Sequence, residues 1–214
     1  MQPKKRFTFS EAYVVAVKAA RSMPDFFKSK DQLGGPVTER IMLAVTEVNG
    51  CPACAYEHTK MALRAGMSSE EIRQMLSGEH EGVPDSELPA LMFAQHYADS
   101  RGNPDRAAWA AIEKEYGPDL ARGILGAARM MMWGNVIGLA YSGLQAKIAG
   151  EPLEGSSTPR DVAMMAFGVL NRPVALVQAA LSSMIRRPLL GSAEEMTEAE
   201  GSGLTLSPGR PLSL

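Results

Sequence analysis

Two cysteines, Cys51 and Cys54, are the only ones in 214 residues, and they stand as Cys51-Pro52-Ala53-Cys54 with His58 four positions on. Thiols two residues apart can close a disulfide and reopen it, so they can carry an electron pair. The thiolate is the reactive form, and an imidazole nearby can accept the proton that must leave. Pro52 suits the first turn of a helix, and the helix dipole there favours a negatively charged sulfur. The same residues could instead begin a zinc site. That needs a fourth ligand beyond Cys51, Cys54 and His58, and His80, His96 or a carboxylate would have to serve.

The elements that must position these groups read as helices. Ser10 can cap a first helix with Ala12, Val15, Ala16 and Ala19 on one face. Gly34-Gly35-Pro36 breaks it. A second helix opens at Thr38-Glu39, carries Ile41, Met42, Leu43 and Val45, and stops at Asn49-Gly50. The CxxC helix follows and runs to Ala65-Gly66. Ser68-Ser69-Glu70-Glu71 starts a short helix ending near Gly78. Further helices are expected over Ser86 to about Ser100, Asp105–Tyr116 and Asp119 to about Ala149, with Gly117-Pro118 as punctuation. No alternating strand pattern is present, so the fold class is all-α, and the strand–CxxC–helix setting of thioredoxin is excluded.

If the helices on either side of Asn49-Gly50 fold back as a hairpin, Glu39, Leu43 and Glu47 form one stripe, and Cys54 and His58 face it. Cys54 then lies near Glu47, His58 near Leu43, and Glu39 just beyond. Both glutamates are candidates for a base beside the thiols.

The run Thr38-Glu39-Arg40 to His58, with Ala44-Val45-Thr46 and Asn49-Gly50-Cys51-Pro52-Ala53-Cys54 at its centre, resembles the alkyl hydroperoxide reductase D / carboxymuconolactone decarboxylase family. The peroxidase branch of that family carries a glutamate twelve residues before a CxxC and a histidine four after it. Glu39, Cys51, Cys54 and His58 match that spacing, and the resemblance covers roughly residues 35 to 145. It implies an all-helical, oligomeric thiol peroxidase or disulfide reductase. Cys54 would attack a hydroperoxide, Cys51 would resolve the sulfenic acid, and His58 and Glu39 would relay protons. The glutamate spacing ranks Glu39 above Glu47. The electron donor would be an external dithiol or a protein disulfide reductant, and no metal, haem or flavin would be required. One departure stands out: the histidine that the best-studied branch carries just before the second cysteine is Ala53 here. The decarboxylase branch lacks the CxxC, so a lactone lyase using Glu39 and His58 is a secondary reading. A non-catalytic helical interaction protein, with the cysteines structural, is another.

Composition bounds the remainder. A net charge of −2 gives no electrostatic case for nucleic acid or an anionic membrane. No apolar segment follows Lys4-Lys5-Arg6, so no signal peptide is expected, and the reading is cytoplasmic and reducing. Residues 1–150 are expected to form the helical domain. Residues 151–193 form a Met-rich helical extension, and 194–214 a polar, mobile tail. Val162 to Ile185 is long and apolar enough to span a bilayer, but Asn171-Arg172-Pro173 divides it into two helices, Asp161–Leu170 and Pro173–Ile185. Met130-Met131-Met132-Trp133 reads as core or subunit-interface packing. The high apolar content, with 14 methionines, points to a homo-oligomer.

Overall fold

The computed structural model describes residues 1–184, so Ile185 and the tail at 194–214 lie outside the described residues. Those residues form eight helices and no strand. They are α1 (Phe9–Leu33), α2 (Gly35–Asn49), α3 (Pro52–Arg64), α4 (Ser69–Leu76), α5 (Leu88–Asp99), α6 (Arg106–Ile148), α7 (Thr158–Leu170) and α8 (Arg172–Met184). The all-α expectation holds.

Local chemistry explains most of the boundaries. α1 starts two residues earlier than Ser10 would place it. Thr8 is the cap: its hydroxyl accepts the Glu11 amide, and the Glu11 carboxylate accepts the Thr8 amide at 2.7 Å. Ser68 caps α4 through the Glu71 amide, as its sequence signal predicts. Gly117, at φ 75°, ψ 161°, interrupts α6 where Gly117-Pro118 predicts a break, although helix continues on both sides. α7 begins at Thr158, ahead of the expected Asp161, with Pro159 in its first turn.

The core lies between α2, α5 and the second half of α6. Ile41, Leu43 and Val45 meet Leu91, Ala94 and Tyr97 from α5 and Ile124, Leu125 and Met132 from α6, all buried. α1 crosses α6 at close range. A Cβ on Gly123 would collide with Ser29, and one on Gly126 would collide with Phe26. Buried polar groups pin this crossing. The Arg129 guanidinium donates to Ser22 Oγ at 2.7 Å and to Tyr97 Oη at 3.1 Å. α7 and α8 continue the bundle, burying Met164, Gly168, Ala175 and Ala179 while Val162, Val169, Val174, Val177 and Leu181 face outward. Among the described residues no single helix is long and apolar enough to cross a membrane. The α7–α8 pair reaches that length only with a 49° bend at the predicted Asn171 break.

The α2–α3 turn is held from two sides. Gly50 sits at φ 68°, ψ 49°, a left-handed geometry that ends α2 and suits glycine. The amides of Lys4 and Lys5 both donate to the Asn49 carbonyl, at 3.1 and 3.2 Å. From α6, Asn135 Oδ1 accepts the Asn49 side-chain amide at 2.8 Å, and Asn135 Nδ2 donates to Thr46 Oγ1 at 3.3 Å.

Lys18, on α1, gives a pH test of the fold. Its ammonium donates to Gly102 O and Asn103 Oδ1, both at 2.8 Å. Burial, and then the nearby Arg129 charge, lower its pKa to about 8. An unfolded lysine ionises near 10.4, so between about pH 8 and 10.4 the unfolded chain binds the additional proton. The penalty is therefore complete below pH 8 and is relieved as pH rises towards 10.4. Relative to Lys18→Met, the wild type should gain about 1 kcal/mol of unfolding free energy between about pH 7.5 and 9.5, discounted for partial exposure. Urea unfolding at the two pH values measures it, and an unchanged difference rejects the lowered pKa.

Candidate active site

Three of the expected residues, Cys51, Cys54 and His58, lie in the first two turns of α3, and the fourth, Glu39, meets His58 from α2. Cys51 is the N-cap of α3 and Pro52 its first residue, so both sulfurs emerge from the first turn. Cys51 and Cys54 are joined as a disulfide with their Cα atoms 5.3 Å apart. The Cys54 amide donates to Cys51 Sγ at 3.3 Å, so the sulfur caps the helix as a serine oxygen would. Cys51 is fully buried and Cys54 retains 8% exposure, which makes Cys54 the cysteine reachable from outside.

One turn further along α3, His58 Nδ1 lies 2.8 Å from Glu39 Oε2. The carboxylate accepts from the protonated Nδ1, which leaves Nε2 as the basic nitrogen of the neutral ring. Both side chains are largely shielded from solvent. Glu39 is aimed by its neighbour. Arg40 donates to Glu71 on α4 and to Glu87 at the α5 N-cap, both at 2.6 Å, which fixes the rotation of α2 about its axis. These carboxylates hold the Arg40 pKa above its ordinary value, against the opposing effect of burial, which is the largest single cause.

Glu47, the rival base, forms an ion pair with Lys4 instead. Lys4 occupies the carboxylate that the hairpin reading placed near Cys54. The zinc alternative finds no support in the arrangement. Among the described residues no group of three or more His, Cys, Asp and Glu side chains could hold a metal. His96 accepts the Asp105 amide at 3.2 Å, away from the sulfurs, and His80 lies in the loop between α4 and α5.

α6 supplies the back wall, and spacing alone did not announce it. Cys54 Sγ lies 3.7 Å from the Gly134 carbonyl oxygen. A Cβ on Gly138 would come within 3.0 Å of both sulfurs. Ser142 Oγ accepts the Ala53 amide at 3.1 Å and donates to the Gly138 carbonyl at 2.7 Å, tying the first turn of α3 to α6. The Met130–Met132 run serves packing, with Met131 and Met132 buried. Beside the CxxC backbone, Pro52, Ala53, Tyr56, Tyr141, Ser142 and Gln145 line a hollow of about 660 Å³.

The fold and site define an all-helical protein with a disulfide at the head of α3 and a carboxylate–imidazole pair one turn along. Residues 19–99 match the sequence profile of the carboxymuconolactone decarboxylase family. The match runs from within α1 to the end of α5, so it contains Glu39, Cys51, Cys54 and His58 and stops short of α6. Comparison with curated proteins and with solved structures gives no match.

The contact at Gly138 makes a prediction with a change of sign. In the oxidised wild type, Gly138→Ala forces overpacking that costs about 1–3 kcal/mol, against about 1 kcal/mol gained from helix propensity. The net effect should be destabilising. In a Cys51→Ala/Cys54→Ala background the sulfurs are gone, and the same change should stabilise by up to about 1 kcal/mol. Urea denaturation of the four proteins tests it, and an equal cost in both backgrounds rejects the sulfur contact as the cause.

Proposed function

We propose that this protein is a thiol-dependent peroxidase that reduces hydroperoxides through the Cys51–Cys54 pair. The family includes both decarboxylases and alkylhydroperoxidases. The observation that carries the choice is the Cys51–Cys54 disulfide at the head of α3, with the Glu39–His58 hydrogen bond one turn along. A lactone lyase needs no second cysteine, whereas a peroxidase cycle needs both.

In this reading His58 Nε2 accepts the Cys54 proton, and Glu39 stabilises the resulting imidazolium through Nδ1. The Cys54 thiolate attacks the outer peroxide oxygen. The O–O bond breaks, the alkoxide takes the proton from His58 and leaves as the alcohol, and Cys54 becomes a sulfenic acid. Cys51 thiolate attacks that sulfur, and hydroxide leaves as water after protonation, closing the disulfide. An external dithiol then returns two electrons and two protons and departs oxidised. Ala53 leaves Glu39–His58 as the proton route, without a histidine between the cysteines.

The test is consumption of cumene hydroperoxide with dithiothreitol as donor. Cys54→Ser should fall to background. Glu39→Gln, which removes charge while preserving shape, should lower turnover at least about tenfold. Full activity in Cys54→Ser would remove the assigned nucleophile. Turnover of a lactone that survives thiol alkylation would favour the lyase reading instead.

A further inference from the structure

We propose that the reduced pair divides its protons unequally: Cys51 is the sulfur held as thiolate at rest, while Cys54 keeps its proton, directed at the Gly134 carbonyl. This deepens the peroxidase reading and rests on it for its catalytic meaning. It does not follow from the family's spacing, which marks Cys54 as the attacking sulfur without saying which sulfur ionises first.

The argument is the partner each sulfur faces. Cys51 Sγ receives the Cys54 N–H at 3.3 Å and stands at the N-cap of a thirteen-residue helix. A donor aimed at sulfur, with the positive end of a helix behind it, favours the anion. Cys54 Sγ faces a carbonyl oxygen 3.7 Å away. A carbonyl only accepts, so it stabilises S–H and opposes S⁻. Burial does not favour the proposed order, since Cys51 is the less exposed of the two, so the order is carried by what each sulfur faces.

Neighbouring charges do not reverse this. Of the α2 carboxylates, Glu39 is engaged with His58 and Glu47 with Lys4 of the N-terminal segment. On α3, Glu57 is exposed and paired with Lys60. Residues 134–142 of α6, which back the pair, contain no charged side chain. His58 is one turn beyond Cys54 on the same face, so it is placed to take the Cys54 proton and not to ionise Cys51.

The division gives each direction of the cycle an order. When a dithiol reduces the disulfide, its thiolate attacks the reachable Cys54 sulfur. The S–S bond breaks, and the electron pair departs on Cys51, the better leaving group because its thiolate is stabilised. The donor's second thiol gives its proton to His58 and attacks the mixed disulfide, so the donor leaves as its own disulfide and the released Cys54 takes that proton back from the imidazolium. When a peroxide oxidises Cys54, Cys51 is already ionised and closes the disulfide without waiting for a base.

The experiment is a pH titration of the reduced wild-type protein carrying ¹³Cβ-labelled cysteine, followed by NMR. Site-resolved signals are needed because two thiols this close titrate as a coupled pair. The Cys51 midpoint should lie at least about one pH unit below that of Cys54 and below the ordinary thiol value near 8.5. Coincident midpoints, or Cys54 ionising first, would overturn the proposal. The measurement uses no substrate. A protein that shows the expected order but consumes no peroxide loses the peroxidase reading alone, and a reversed order with full turnover loses this inference alone.

Discussion

The approach of the first turn of α3 to a bare stretch of α6 is the constraint on which the site depends. The sulfurs can lie against α6 only because position 138 has no side chain, and the Ala53 amide can be held only because Ser142 follows one turn later. Helix packing normally keeps axes 8–10 Å apart by interposing side chains. Here the disulfide itself is the interposed group. The disulfide is thus also a packing element, and the cysteines and the docking of two helices cannot be changed separately.

The second half of the site is set from the other side of α3. Glu39 faces His58 because α2 is prevented from rotating, and the restraint is the pair of ion pairs from Arg40 to α4 and α5. All of these charges are largely shielded, so they bind more strongly than surface pairs would and depend more on being paired. One helix therefore supplies the carboxylate that meets His58 and, at the next residue, the cation that aims it.

Much of this was legible in the chain. Asn49-Gly50 marked the end of α2, Pro52 the start of α3 and Ser68 the start of α4, because each relies on local backbone chemistry that needs no tertiary partner. Thr8 was missed in favour of Ser10, although Glu11 three residues after it carries the capping signal. The family spacing ranked Glu39 above Glu47, and the structure pairs Glu39 with His58. That Lys4, more than forty positions away, engages Glu47 is a pairing no periodicity reports. The contribution of α6 was the least visible part. Gly134, Gly138 and Ser142 are ordinary helix residues until the fold brings them to Cys51 and Cys54, and only the regular four-residue step between them hinted at a common face.

The extended segment at residues 2–5 has a further implication. It lies across Gly50 so closely that a side chain there would meet the carbonyl of Gln2 and the amide of Lys4, and it lends two amides to the last carbonyl of α2. The bend that presents the sulfurs is thus braced by chain outside the helices themselves. Trimming that strip, or fusing bulky sequence onto it for purification, would slacken the hinge beneath the cysteines while leaving every helix intact.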